Sequence, residues 1–205
     1  MSRFPKIKPF AALPIILVVL LAAFGIYGWN GGTGKTESPV VAAGEASLKP
    51  FATGTLAGFL VHAPRKPVAP FSFKDGTGAD VSLAKWQGKV VLLNLWATWC
   101  TPCRKEMPDL ADLQRQLGGA DFEVVALSID RKGAAASQAF LTDVGAGSLA
   151  LYIDVDSASL QALQALGLPA TLLIDRKGLE AGRLLGPAQW SAPEAVALIK
   201  AAIAE

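Results

Sequence analysis

Cys100 and Cys103 are the only cysteines in 205 residues, and they stand where a buried-strand sequence gives way to a helix. The run from Lys89 to Trp96 is short, apolar and rich in β-branched residues, the pattern of a strand covered on both faces. After the cysteines, Arg104-Lys105-Glu106-Met107 leads into Leu110, Leu113 and Leu117 at helical spacing. Cys100 is thereby placed at a helix N-terminus, where unpaired N–H groups and the positive end of the helix dipole stabilise a thiolate. In such settings a thiol pKa falls from about 8.5 to roughly 3.5–7.5, which makes the sulfur nucleophilic at neutral pH. Cys103 lies within reach as the resolving thiol. Pro102 lacks an N–H and suits the first helical turn.

Other uses of two nearby cysteines fit less well. Zinc takes four protein ligands, or three and a water, and the single histidine, His62, lies far off in a Pro-rich stretch. A structural staple across so short a loop constrains little of the unfolded chain. Redox chemistry is the expectation.

The 52% hydrophobic content is high for a soluble protein, and the excess sits at the N-terminus. Residues 10–29 are apolar almost throughout, about the 20 needed to cross a bilayer. Arg3, Lys6 and Lys8, within a basic flank at 1–9, precede this stretch, so the positive-inside rule retains them in the cytoplasm and exports the rest. A cleaved signal peptide has a shorter apolar core and a nearby cleavage site, whereas the best candidate here, Val41-Ala42-Ala43, is distant. An uncleaved signal anchor is therefore expected, in a bacterial inner membrane with the C-terminal domain in the periplasm. That compartment is oxidising. A net charge of +2, without basic clusters interleaved with aromatics, argues against nucleic acid as a partner.

Residues 30–63 read as a linker. Its first part, Asn30 to Ser47, is rich in Gly, Ser, Thr and Ala, with a flexible reach of roughly 20–25 Å; Leu48 to Val61 has no clear period. Pro64, Pro67 and Pro70 mark the boundary of a domain at 64–205. Within it, Phe71 to Lys74 and Asp80 to Ser82 flank a turn, suiting a hairpin. Strands follow at 122–129, 149–153, 170–174 and 179–184, with helices at 134–144, 157–166 and 192–203. This order predicts an α/β domain, a mixed central sheet covered by helices.

Trp99-Cys100-Thr101-Pro102-Cys103, Pro108 and Gly167-Leu168-Pro169-Ala170-Thr171 together resemble a thioredoxin-fold oxidoreductase. The fuller strings from Asn94 to Cys100 and from Cys103 to Pro108 are similar to the TlpA-like membrane-anchored branch. The resemblance implies that Cys100 attacks, Cys103 resolves and Pro169 is cis and faces them, leaving the backbone of Leu168 free for an extended substrate strand. Read without it, Pro169 is equally an ordinary strand-edge proline. Trp99, Thr101, Pro102 and Leu168 would line the substrate groove. Asn94 occupies the place of the buried aspartate of cytosolic thioredoxins and cannot act as a base. Glu106 matches a glutamate proposed to assist thiol chemistry in the anchored relatives; its plainer reading is a partner for the helix dipole.

The implied reaction is thiol–disulfide exchange with no cofactor beyond the Cys100–Cys103 redox disulfide and no metal. A reductase outside the cytoplasm needs a transmembrane electron donor of the thiol-transporting type, beside which an anchor would hold it. The resemblance points to cysteine pairs in copper chaperones or copper-site subunits of cytochrome oxidase, which must be reduced to bind metal. The alternative target is apocytochrome c before haem attachment. Members of that branch often carry a glutamate after the cis-proline, where this chain has Ala170. A non-catalytic copper carrier on this fold would need a histidine near the cysteines, and a peroxidase would need a peroxidatic cysteine in a Thr/Arg pocket. An exposed dithiol at a groove needs no dimer, so a monomer is expected.

Overall fold

The computed structural model describes residues 47–205. The basic flank, the span and most of the tether expected from the sequence lie outside the described residues. Among the described residues, no helix is long and apolar enough to cross a membrane.

The strands are β1 (Leu60–Pro67), β2 (Ser72–Asp75), β3 (Asp80–Ser82), β4 (Val90–Trp96), β5 (Phe122–Ser128), β6 (Tyr152–Ile153), β7 (Ala170–Ile174) and β8 (Leu179–Leu185). The helices are α1 (Thr101–Leu117), α2 (Gly133–Asp143), α3 (Ala158–Ala162) and α4 (Pro193–Ile203). One sheet takes all eight strands in the order β1-β8-β7-β4-β5-β6-β2-β3. β4, β5 and β6 run parallel, and β7 pairs antiparallel with β4. The expected mixed sheet covered by helices is the one observed.

β4 lies inside this sheet, and all seven of its residues are buried. Its alternation sends Leu92 and Trp96 into a core shared with α1 and α4, and Val91, Leu93 and Leu95 into a second core around Phe73, Trp86 and Tyr152. Burial on both faces explains the unbroken apolar run. α1 continues unbroken through Pro108 and buries Cys103, Met107, Leu110 and Leu113. Because β7 runs against β4, the start of β7 lies level with the end of β4: Ala170 pairs with Leu95. That register brings Pro169 to the cysteine end of the sheet.

Two expected elements are shorter than their apolar patterns. The strand expected at 149–153 pairs only over Tyr152–Ile153, and the helix expected at 157–166 spans Ala158–Ala162. Ser157 and Gln164 flank that helix with φ of 55° and 52°, a backbone state that ends regular structure on each side.

The larger correction concerns residues 48–63, read as linker up to a domain starting at 64. They belong to the fold. Two 3₁₀ turns, Lys49–Phe51 and Gly54–Leu56, lead into β1, which pairs with β8 at the sheet edge. Leu48, Leu56 and Phe59 are buried in the core that α4 covers. Gly182 in β8 makes room for this segment: a Cβ there would stand 2.5 Å from Phe59 Cε1 and 2.6 Å from the Leu60 carbonyl. The Pro and Gly residues that broke any helical period mark short turns in a packed segment. Phe59→Ala should therefore lower stability by about 3 kcal/mol or more, as for other buried aromatics. A free tether would give no change in the denaturation midpoint.

Candidate active site

Cys100 closes the turn after β4. Its N–H donates to the Ala97 carbonyl at 3.1 Å, and it forms the N-cap of α1, its sulfur accepting the Cys103 N–H at 3.3 Å. The Cys100–Cys103 disulfide has an S–S distance of 2.03 Å. Cys100 is 5% exposed and Cys103 fully buried, so any incoming sulfur meets Cys100 first. The expected N-terminal placement of the pair is the one found.

A residue not singled out in the sequence holds this turn. Asp130 follows β5 and is buried. Its Oδ2 accepts the Thr98 N–H at 3.0 Å and the Thr98 hydroxyl, while Oδ1 accepts the Lys132 N–H at 2.9 Å. Burial raises the proton affinity of this carboxyl, but the hydrogen bonds from Thr98 and Lys132 outweigh it and leave the pKa below the usual carboxylate range. The only hint in sequence was a charged residue at the end of an apolar strand. Asp130→Ala should slow disulfide reduction by about tenfold through loss of a charge-assisted clamp worth about 1.5 kcal/mol or more; kinetics of the folded variant would check this.

Trp99 is 65% exposed beside the disulfide, Thr101 is exposed and Pro102 half-buried. Leu168 is half-buried, and the Leu168–Pro169 peptide is cis. Pro169 is buried, and its carbonyl accepts the Gly186 N–H at 2.9 Å. The four residues expected to line a groove thus come from the β4–α1 turn, the first turn of α1 and the loop before β7.

Glu106 is not an exposed partner of the helix dipole. It lies one turn beyond Cys103, on the same side of α1, and is 1% exposed. Its Oε1 accepts from Asn94 Nδ2 at 2.8 Å; its Oε2 accepts the Ala188 N–H and the Trp190 Nε1–H, each at 3.2 Å. Burial dominates over these donors and pushes the carboxyl up to about 7. Asn94 uses its other N–H on Thr171 Oγ1 at 2.9 Å, joining the strand after Pro169 to the helix of the cysteines. Asn94 Oδ1 and Trp96 Nε1 are buried with no partner. The spacing of Glu106 from Cys103 was legible in sequence. Thr171, Ala188 and Trp190 were not, because strand register and a distant loop bring them in.

His62, expected upstream of the domain, lies within β1 and is buried against Glu180 of β8, with Nε2 to Oε1 at 2.8 Å. Among the described residues, no group of three His, Cys, Asp or Glu side chains could hold a metal ion. The chemistry this arrangement can perform is two-electron exchange between a dithiol and a disulfide, with a carboxyl near neutral pKa one helical turn away.

Comparison with known proteins agrees with this geometry. Residues 64–179 match the AhpC/TSA family. The thiol-disulfide oxidoreductase ResA of Bacillus subtilis is 32% identical over 108 residues, covering 53% of this chain and 59% of that protein. The thioredoxin-like protein YneN of the same organism is 36% identical over 112 residues, covering 53% and 64%. The chain thus spans less than two thirds of these relatives. Among solved structures, a putative thiol:disulfide interchange protein DsbE from Chlorobium tepidum superposes with a TM-score of 0.61 at 28% identity, over 68% of this chain and 96% of that one. A putative thiol-disulfide oxidoreductase from Bacteroides vulgatus gives 0.57 at 29% identity, over 66% and 94%.

Proposed function

This chain belongs to the AhpC/TSA family of thioredoxin-fold proteins, and from that premise we propose that it is a thiol–disulfide oxidoreductase which reduces disulfides in other proteins. The observation that carries this reading is the Cys100–Cys103 pair at the N-terminus of α1, with Cys103 sealed beneath Cys100 and Glu106 one turn further on.

The Cys100 thiolate attacks one sulfur of a target disulfide, and the other target sulfur leaves as a thiolate that takes up a proton. Cys103 gives its proton to the Glu106 carboxylate, and the resulting thiolate attacks Cys100 in the mixed disulfide. The target's remaining sulfur departs and is protonated. Two electrons have passed to the target, leaving Cys100–Cys103 oxidised. Trp99, Thr101, Pro102 and Leu168 form the walls along which the target segment lies, and Pro169 sits beneath it. No cofactor or metal enters this scheme.

The basic flank and apolar stretch of residues 1–29 support anchoring in a bacterial inner membrane with this domain in the periplasm. There no soluble thiol pool maintains a dithiol, so a transmembrane thiol donor must recharge it. Ala170 after the cis-proline favours copper-site cysteine pairs of cytochrome oxidase assembly as targets. Cys103→Ser in the full-length chain, expressed in its own host, tests the target assignment. It should retain its target as a disulfide adduct on Cys100 that reduction releases. Recovery of a copper-assembly protein supports this assignment, recovery of apocytochrome c moves it to haem attachment, and no adduct on an alkylatable Cys100 overturns the reductase reading.

A further inference from the structure

The loop between β8 and α4 reaches both halves of the site. It begins at Gly186, whose N–H donates to the Pro169 carbonyl at 2.9 Å. Two residues on, the Ala188 N–H meets Glu106; Trp190 Nε1–H meets the same oxygen; and Ser191 Oγ donates to Asp109 Oδ1 at 2.8 Å. Glu106 and Asp109 lie three residues apart on α1, so the loop clasps two carboxyl groups of the cysteine helix. Trp190 is fully buried. Glu106 receives only donors, from Asn94, Ala188 and Trp190, and each donor favours its ionised form.

We propose that Trp190 is a positioning residue of the redox site: its indole N–H holds the Glu106 carboxylate against Asn94 and biases it toward the charged state that can accept the Cys103 proton. The inference rests on the role given to Glu106 above. Of the three donors, the Ala188 N–H belongs to the backbone, and Asn94 is also committed to Thr171. Trp190 is the donor whose removal alters Glu106 without disturbing the strand after Pro169. The charged group that acts on Glu106 is Asp109, also on α1, and Cys103 lies one helical turn before it. Asp109 raises the Glu106 proton affinity by charge repulsion, but less than burial does. The groups that contact it from β4 and the loop, Asn94, the Ala188 N–H and Trp190, are neutral, as are Thr171 behind Asn94 and Ser191 on Asp109.

The test follows the pH dependence of the resolving step alone, release of the bound peptide thiol from its mixed disulfide with Cys100 on the full-length chain, which does not read the titration of Cys100 in the first attack. The wild-type rate should rise along a limb near neutral pH, and the limb should be absent in Glu106→Gln. In Trp190→Phe, which keeps an aromatic ring and removes the donor, the limb should move upward by about one pH unit, so that the rate below it falls about tenfold. A limb at the wild-type position in a folded Trp190→Phe overturns the proposal. If that variant does not fold, the wild type decides: the Trp190 indole ¹⁵N–¹H resonance should shift with the ionisation of Glu106 and lose that response in Glu106→Gln. An indole signal indifferent to pH overturns the proposal. A limb that survives Glu106→Gln instead overturns the role of Glu106 itself and, with it, the influence of Trp190 on exchange.

Discussion

Cys100→Ser is expected to reduce no protein disulfide above the uncatalysed background, whereas Cys103→Ser should take up one equivalent of target and stop. The asymmetry follows from position. Cys100 is the N-cap, where the first free N–H groups of α1 and the helix dipole favour a thiolate, and it retains a little exposure. Cys103 lies in the first turn and is fully buried, so it can reach only a sulfur already bonded to Cys100. Without Cys100 there is no first attack. Without Cys103 the mixed disulfide forms but is not resolved from within. Iodoacetamide labelling of the reduced chain should show the same order, with Cys100 modified first and at lower pH. Equal labelling rates, or residual turnover in Cys100→Ser, would contradict the assignment of roles.

The same local logic made these residues readable from sequence. β4 is apolar on both faces because it lies inside the sheet, and α1 shows its leucines because one side packs on that sheet. Elements whose burial is periodic announce themselves. Residues 48–63 do not, because two 3₁₀ turns and an edge strand bury Leu48, Leu56, Phe59 and His62 at irregular intervals. Prolines at 64 and 67 are tolerated within β1 because its outer edge needs no partner. The polar network behind the cysteines was hidden for another reason. Asn94, Glu106, Thr171 and Trp190 meet only through the antiparallel register of β4 and β7 and the return of the β8–α4 loop, contacts that no local pattern encodes. Asp130 is similar, since its partner Thr98 lies in the turn that follows the neighbouring parallel strand β4.

Glu106 should also leave a signature in stability. Its carboxyl binds a proton more tightly in the folded chain, at about 7, than at its ordinary 4.5. A group raised in this way contributes fully below about pH 4.5 and loses its contribution as pH rises through about 7. The separation corresponds to roughly 3 kcal/mol, lost over that window from the oxidised protein. Asp130 and Glu180 act in the opposite sense, since both are held below the ordinary carboxylate range and their contributions disappear only as pH falls further. The Glu106 contribution therefore stands apart near neutral pH. Glu106→Gln should flatten the decline between pH 4.5 and 7, while adding a pH-independent cost because one amide edge faces the donors of Ala188 and Trp190. Denaturant midpoints of the oxidised chain against pH would measure both effects, and parallel curves for the two proteins would remove Glu106 as their cause. The sign of this dependence carries the functional argument. A carboxyl kept for packing alone would be replaced by a well-packed apolar side chain of similar volume without loss of stability. Here three donors offset part of the burial cost, so the proton is held loosely enough to exchange near neutral pH, one helical turn from the cysteine proposed to give one up.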